Sequence, residues 1–453
     1  MAGSSRVERL GTEKIGKLLL ELSSQTTLSL LVYAIYSVTD TYFLSVGINS
    51  LAAAGASVIS PVLIALGGVA TTVGAGGASV VSRALGEANS EKASRTVANT
   101  FLIFWSVALV ITVCGALFIQ PLVRLLGATD DVAPYAIAYG RIIFLGALTS
   151  TGYSALVRAD GNARYSTAMW MIPVSTNILC CWLFIMILHL GTAGAALATV
   201  LGQTISASMG IYFFFFRKNR SYQIKMASFQ ADWSIMAEII LIGFPSFCKS
   251  ISASLVVIIT NNLLKVMGGD SALAVFAIVN RLYSGLNTPQ IGIMQGMQPI
   301  VGYNFGQKRF GRVWQTITRS LGATVVYGSI ACSLCLLLPG TLIALLSREP
   351  GLLSEGQIAL RLMSLACPVS GISVVIAASF QAVGRAREAF LITLGGIVFV
   401  KLPVLLLASS LFSVTGIWAA EAASEGLLCV ISLLLLRRYR TRMATMEHLA
   451  SSP

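Results

Sequence analysis

The chain has 453 residues, of which 56% are apolar and only 11% are charged. About a quarter of the residues of a soluble domain are charged. This composition therefore excludes a water-soluble enzyme, a disordered chain and a disulfide-rich scaffold. With a mean hydropathy of +0.81, the net charge of +13 is typical of the basic cytoplasmic loops of a membrane protein rather than of nucleic-acid binding.

Twelve apolar windows follow one another along the chain, separated by short polar loops. Each is long enough to cross a hydrocarbon core of about 30 Å as a helix. The predicted helices cover residues 18–46, 52–80, 96–118, 132–157, 166–189, 193–216, 234–266, 272–302, 315–338, 355–383, 389–411 and 414–436. We therefore predict an all-α polytopic membrane protein with twelve transmembrane helices.

The distribution of positive charge predicts the orientation of these helices. Twelve crossings place both termini on one side of the membrane. Twenty-two Lys and Arg residues lie in the termini and loops of that side, whereas the opposite loops contain only Arg124 and Arg348. Because basic loops stay in the cytoplasm, we expect both termini to be cytoplasmic in a cell (inner or plasma) membrane protein.

The two halves of the chain are related by a repeat. An offset of 220 residues aligns Val46 with Val266, Ala52 with Ala272, Gly86 with Gly306 and Arg141 with Arg361. Both halves begin on the same side, so they are parallel repeats, which pack around a central cavity in transporters. The predicted divisions are an N-lobe at 1–216, a cytoplasmic loop at 217–233, a C-lobe at 234–436 and a basic cytoplasmic tail at 437–453.

Six motifs resemble those of a known transporter family. They are TDTYFLSVGINSLAAAGAS (39–57), RADGNA (158–163), GAALATVLGQ (194–203), NRLYSGLNTPQIGIMQGMQPIVGYNFG (280–306), FQAVGRAREA (380–389) and GIWAAE (416–421). Their order and places are similar to those of the multidrug and toxic compound extrusion (MATE) family, and within it to the MepA-type branch. The resemblance implies a two-lobe antiporter that exports drugs, often organic cations, against inward H+ or Na+, without a cofactor.

Asp40 lies deep in the first predicted helix, where an ionisable residue is a functional candidate because burying its charge is costly. It is either a structural acid, bound to hydroxyl groups or paired with Arg141, or a carboxyl group that loads and releases a proton. The resemblance supports the second interpretation, because the family places its coupling acid here. Asn177 and Thr199 match polar positions of the family motifs on helices 5 and 6, and we expect them to lie near Asp40.

Cys181 departs from the family pattern, which has an aspartate at this position. Trp182 likewise stands where the family has proline. A hard cation such as Na+ prefers several oxygen ligands, and a neutral thiol is a poor substitute. We therefore predict that the site formed by Asp40, Asn177, Thr199 and Cys181 couples export to H+ rather than to Na+.

Four charged residues are predicted at similar depth in the C-lobe, namely Lys249, Lys401, Glu421 and Glu425. The two glutamates share one face of helix 12, because residues i and i+4 stack on a helix. Two cations and two anions at one depth predict a closed network of ion pairs. Such a network either neutralises charge structurally, with little gain in stability, or has a role in gating or substrate binding.

Three residues of helix 8, Met294, Met297 and Gln298, are candidates for the cavity lining, because methionine adapts to varied ligands. Packing in the protein core explains them equally well. The only histidines are His189 and His448, so neither a metal-binding motif nor a histidine-based catalytic site is predicted.

The leading interpretation is a monomeric secondary active exporter that lies in the lipid bilayer and transports small molecules. The alternative is a lipid-linked oligosaccharide flippase of related architecture, which requires several Lys or Arg residues to hold pyrophosphate. Lys249 and Lys401 are available for that purpose, but they are predicted to be matched by glutamates. A membrane-embedded enzyme would need a catalytic dyad, which this sequence does not offer. A channel would not explain why the chain consists of two duplicated halves.

Overall fold

The computed structural model describes residues 2–149, 152–217, 222–346 and 349–451. Within these ranges the chain contains helices and no strands. The α-helices α1 to α15 are Ala2–Thr12, Ile15–Gly47, Ser50–Gly86, Ser90–Leu125, Ala133–Leu145, Tyr153–Ala159, Ala163–Cys181, Gly191–Ile211, Trp233–Gly306, Phe310–Leu337, Pro339–Ala344, Pro350–Ser364, Cys367–Ala382, Ala386–Phe390 and Leu402–Ser451. Short π-helical turns occupy Trp182–Ile187, Tyr212–Phe216, Leu391–Gly395 and Ile397–Lys401, and 3-10 turns occupy Gly146–Thr149 and Met226–Phe229.

Nine helical segments of the described chain are long and apolar enough to cross a membrane. Two of them are interrupted in their interior by a residue with positive φ, Gly269 in α9 and Ser413 in α15, at the two breaks that the sequence predicts. A straight helix of the 74 residues of α9 would measure about 110 Å, far more than one bilayer, so each of these segments supplies two crossings. The pair α12 and α13, bent by 44°, supplies one more. Twelve candidate crossings confirm the predicted all-α polytopic fold.

The last helix, α15, extends further than the sequence predicts. Its predicted end is residue 436, where the apolar window gives way to arginines, but the helix continues to Ser451. The segment after 436 contains neither glycine nor proline before Pro453, and basic residues are favourable at a helix C-terminus. Loss of hydrophobicity therefore ended the predicted membrane crossing without ending the helix.

Helix contacts divide the chain into two compact units. Unit 1 comprises Met1–Thr12 and Leu28–Gly243, and unit 2 comprises Glu13–Thr27 and Phe244–Pro453. The divisions fall inside α2 and inside α9, not in the loop at 217–233. The lobe boundaries derived from the repeat are therefore divisions of the sequence. That they are also boundaries in the structure stays a prediction.

In unit 1, α3 crosses the first part of α9 at very short distance. A Cβ atom on Gly76 would overlap the carbonyl group of Ile239, and one on Gly243 would overlap the carbonyl group of Thr72. Glycine at both positions is what lets the two backbones meet, as small residues do where membrane helices cross. An ion pair between Arg83 and the first turns of α9 supports the same crossing, with 2.9 Å between the Arg83 guanidinium and Glu238 Oε1.

Unit 2 contains the repeat-related crossing, between the first part of α2 and the later part of α9. A Cβ atom on Gly296 would lie 2.7 Å from the backbone nitrogen of Ser23, and one on Gly292 would overlap the Thr27 side chain. The offset of 220 residues relates Gly76 to Gly296 and Ser23 to Gly243. The same helix crossing is thus built in each unit from equivalent positions.

We expect Gly76→Val to destabilise the protein markedly, because the added side chain meets backbone that cannot move aside. Overpacking of a close contact costs about 1–3 kcal/mol. The matched control is Gly67→Val on the same helix, where no atom lies within 4 Å of an added Cβ. Thermal unfolding of the purified protein in detergent measures the difference, and equal melting temperatures of the two variants would contradict the role of this crossing.

Candidate functional site

The first candidate site lies in unit 1, where three helices bring the predicted residues together. Asp40 is on α2, Asn177 and Cys181 lie one turn apart at the end of α7, and Thr199 is on α8. The Cys181 Sγ atom lies 3.8 Å from Asp40 Oδ1 and 3.8 Å from Asn177 Oδ1. Asn177 Nδ2 donates a hydrogen bond of 3.4 Å to Thr199 Oγ1. All four residues therefore form one continuous polar cluster.

Two tyrosines complete this cluster. The Tyr36 hydroxyl lies 3.4 Å from Thr199 Oγ1, and Tyr139 of α5 interacts with Thr199 and with Asp40. Tyr36 could have been found from the sequence, since it precedes Asp40 by four residues and so shares its helix face. Nothing in the sequence singles out Tyr139, because its proximity depends on how α5 packs on α2 and α8.

Burial differs between the members of this cluster. Cys181, Asn177 and Thr199 are buried, with at most 4% of their surface exposed, whereas Asp40 is half-buried. Asp40 and Tyr36, which is also half-buried, are therefore the more accessible members of the cluster. The Cys181 thiol can donate to either of its two oxygen neighbours, but it cannot replace a carboxylate as a cation ligand.

One of the two structural alternatives for Asp40, a pair with Arg141, is not formed in the described residues. Arg141 is exposed and makes no ion pair with Asp40 in the described structure. Among the residues that the structure describes, no three His, Cys, Asp or Glu side chains are grouped in a way that could hold a metal ion. Asp40 is thus the only carboxylate of the polar cluster.

The second candidate site lies in unit 2 and consists of three charged residues. Lys401 Nζ donates to Glu421 Oε1 at 2.9 Å and to Glu425 Oε1 at 3.1 Å. Lys401 ends the π-helical turn Ile397–Lys401, and both glutamates lie one turn apart on α15. Between 13% and 19% of each side chain is exposed. π-helical turns within helices often occur at functional sites, and this one directs the ammonium group towards two carboxylates.

Lys249 stands apart from this ion triad, although the sequence places it at the same depth. Its side chain is half-buried and interacts electrostatically with Glu425. None of the ion pairs of the described chain includes it, so no carboxylate lies within 4.0 Å of its ammonium group. Three of the four predicted charges therefore meet, and the fourth lacks a contact partner.

The three candidate lining residues of α9 occupy different environments. Met297 is fully buried and its sulfur lies 3.9 Å from the Ser379 hydroxyl, while Met294 is half-buried. Gln298 Nε2 donates to Gln381 Oε1 at 3.0 Å. Gln381 Nε2 in turn donates to the Ser246 hydroxyl at 2.9 Å, so Gln298 belongs to a hydrogen-bonded chain that sequence analysis did not find.

Comparison with known proteins identifies relatives along almost the whole chain. The family model MatE matches residues 26–183 and 245–407. The chain is 25% identical over 437 residues to the multidrug export protein MepA of Staphylococcus haemolyticus (strain JCSC1435), with 95% of each protein covered. It is 25% identical over 439 residues to the protein of the same name from Staphylococcus aureus (strain MRSA252), with 94% of each covered.

Solved structures share the fold. The chain superposes with a TM-score of 0.92 and 18% identity on the crystal structure of a MATE protein in the bent conformation, covering 99% of both chains. The outward-facing conformation of a multidrug resistance MATE family transporter gives a TM-score of 0.89 with 19% identity, covering 96% of this chain and 98% of that one. This likeness supports the twelve-helix architecture.

Proposed function

Because the chain belongs to the MatE family, we propose that it exports drugs or other amphipathic, mostly cationic, small molecules by alternating access of its two lobes. The family consists of multi-pass membrane transporters rather than enzymes, with small molecules and coupling ions as substrates. The curated relatives are multidrug export proteins. We further propose that the protein acts as a monomer in the lipid bilayer of the cell (plasma) membrane.

The counter-ion proposed here is H+, and the observation that supports it is the composition of the cluster around Asp40. That cluster offers one carboxylate, the oxygens of Asn177 and Thr199, and a thiol in place of a second acid. One carboxyl group is sufficient to carry one proton. Na+ prefers a larger set of oxygen ligands, which the Cys181 thiol does not supply.

Transport in proteoliposomes tests this proposal. The purified protein is reconstituted, and uptake of a fluorescent cationic dye is followed under an imposed ΔpH or an imposed ΔNa+. We expect ΔpH to drive dye transport and ΔNa+ at uniform pH to leave it unchanged. Transport driven by ΔNa+ alone would overturn H+ coupling, and no transport of any dye under either gradient would overturn the export function.

The lipid-linked oligosaccharide flippase remains the alternative. Lys401 binds two glutamates, and Lys249 is the only lysine of this charged cluster without a contact carboxylate. A flippase would need several cationic side chains free to hold pyrophosphate. The charge arrangement in unit 2 therefore favours the exporter.

The proposed orientation, with both termini in the cytoplasm, makes a separate prediction. In intact cells, Lys225→Cys in the loop at 217–233 should resist a membrane-impermeant maleimide, because that loop is cytoplasmic. Asp131→Cys, in the loop before α5, should be labelled from outside. Both positions are exposed, and the unmodified protein gives the background of its native cysteines. Labelling of Lys225→Cys without permeabilisation would reverse the orientation.

A further inference from the structure

The exposed face of α15 changes from apolar residues to arginines within one helical turn. Val430, Leu433 and Leu434 have between 42% and 56% of their surface exposed, so in a membrane-spanning helix they face the lipid tails. Arg437 and Arg438 follow one turn later on the same face, and both are exposed. At a rise of 1.5 Å per residue they lie about 6 Å further along the helix axis. The arginines are thus placed where lipid headgroups succeed the tails.

The opposite face of this turn is held by three aromatic rings of unit 2. Tyr439 is buried, with its ring centroid 5.3 Å from that of Phe380 on α13. The Arg385 guanidinium lies 5.1 Å from the centroid of the Tyr439 ring. The Arg440 guanidinium lies 4.7 Å from the centroid of the Trp314 ring on α10, within the range of a cation–π contact. These contacts fix the turn against its neighbours, so the outward arginines project from a firmly packed segment.

The three arginines of this turn have no acidic partner among the described side chains. None of the ion pairs there includes Arg437, Arg438 or Arg440. Arg385 differs from them, because Glu388 Oε1 lies 2.7 Å from its Nε atom. Like charges three residues apart on a helix repel each other, as Arg437 and Arg440 do. Three guanidinium groups in one turn therefore favour an anion that comes from outside the chain.

The repeat-related position in unit 1 is built differently. The offset of 220 residues relates Arg437 to Arg217. There the helical segment ends at Phe216, and Arg217 has extended backbone. Its guanidinium lies 5.3 Å from the centroid of the Phe213 ring and 5.8 Å from that of Tyr165. A preference for basic residues on the cytoplasmic side applies to both units, so it does not explain why only in unit 2 the helix continues and keeps its arginines on the exposed face.

We propose that this turn of α15 binds the phosphate group of an anionic phospholipid. Arg437 and Arg438 bind the phosphate oxygens, for which a planar guanidinium offers two parallel donors, and Arg440 adds positive charge. The ligand is a lipid because acyl chains joined to that phosphate can lie along Leu433 and Leu434, and basic clusters next to a membrane helix attract anionic headgroups. This site goes beyond the proposed export function, since the lipid is not the exported molecule.

Lipid binding to the purified protein tests the site. Phosphatidylglycerol, which is anionic, and phosphatidylcholine with the same acyl chains, which carries no net charge, are added to the protein in detergent in separate titrations. Native mass spectrometry measures the affinity for the first bound molecule of each. We expect the unmodified protein to bind phosphatidylglycerol about tenfold more tightly than phosphatidylcholine, because each arginine near the headgroup adds to the attraction. The double variant Arg437→Gln with Arg438→Gln should bind the two lipids equally.

A matched control removes two positive charges elsewhere. Lys225→Gln with Lys308→Gln changes two exposed loop positions and should keep the preference for phosphatidylglycerol. Excess glycerol 3-phosphate, which has the phosphate but no acyl chains, should leave the bound lipid in place. The melting temperature shows whether the arginine variant is folded. If it is not, Arg438→Gln alone replaces it, and the preference should then fall about threefold.

Three results would overturn the proposal. The first is an unmodified protein that binds both lipids equally. The second is a preference for phosphatidylglycerol that survives the loss of both arginines, or that falls as much in the lysine control, because net charge and not this turn would then be responsible. The third is displacement of the lipid by glycerol 3-phosphate, which would assign a soluble phosphate to the arginines. Dye transport in proteoliposomes tests the export function separately, and its failure leaves these binding results unchanged.

Discussion

Asp40→Asn is expected to abolish ΔpH-driven export while the protein remains folded. Asparagine has nearly the shape of aspartate, and its Oδ1 atom can still accept the contact from the Cys181 thiol, which lies 3.8 Å from Asp40 Oδ1. It cannot take up or release a proton. Since Asp40 is the only carboxylate of the polar cluster in unit 1, no neighbouring acid there can replace it. Dye transport in proteoliposomes under ΔpH should fall to the level of protein-free vesicles.

The control for this change is Asp131→Asn, the same substitution at an exposed loop position, which should transport at the unmodified rate. Binding of the cationic dye to Asp40→Asn in detergent, together with its melting temperature, distinguishes a loss of coupling from a loss of fold. Retention of ΔpH-driven transport at the unmodified rate by Asp40→Asn would exclude this acid as the coupling group. The glutamates bound to Lys401 would then be the next candidates.

The positions of the helices and the residues of the polar cluster around Asp40 were largely predictable from the sequence. Hydrophobic windows are set by the thickness of the bilayer, so the breaks near Gly269 and Ser413 appear in the sequence as gaps between windows. Asn177 and Cys181 share a helix face through their spacing of four residues. Their proximity to Asp40 was predicted only from the family resemblance, because the periodicity of a single helix does not indicate which other helices it contacts.

The arrangement in unit 2 shows where the prediction stopped. The sequence predicts that Lys249 and Lys401 pair with the two glutamates, because all four lie at similar depth. Depth fixes the position of a residue along the membrane normal but not the direction in which its helix face points. Lys401 faces both glutamates and Lys249 does not contact either one. The unit boundaries inside α2 and α9 depend on packing between helices, which the periodicity of a single helix does not indicate.

Removal of the Lys401 charge is expected to be among the most destabilising single changes in the chain. Lys401→Met leaves Glu421 and Glu425, one turn apart on α15, without the ammonium group that lies 2.9 and 3.1 Å from their oxygens. These side chains are less than one-fifth exposed, so water compensates them poorly. Breaking a buried pair by removing one partner costs about 3–5 kcal/mol.

The double variant Lys401→Met with Glu425→Gln should be more stable than Lys401→Met alone. It removes one of the two facing carboxylates and returns the sum of the charges at positions 249, 401, 421 and 425 to zero. Removing both members of a buried pair costs less than leaving one behind, because the desolvation penalty disappears with the charge. Lys265→Met, an exposed lysine on α9, controls for the loss of a positive charge as such. Thermal unfolding in detergent should rank Lys265→Met as most stable, then the double variant, then Lys401→Met. A double variant no more stable than Lys401→Met would mean that Lys401 and Glu425 do not stabilise each other.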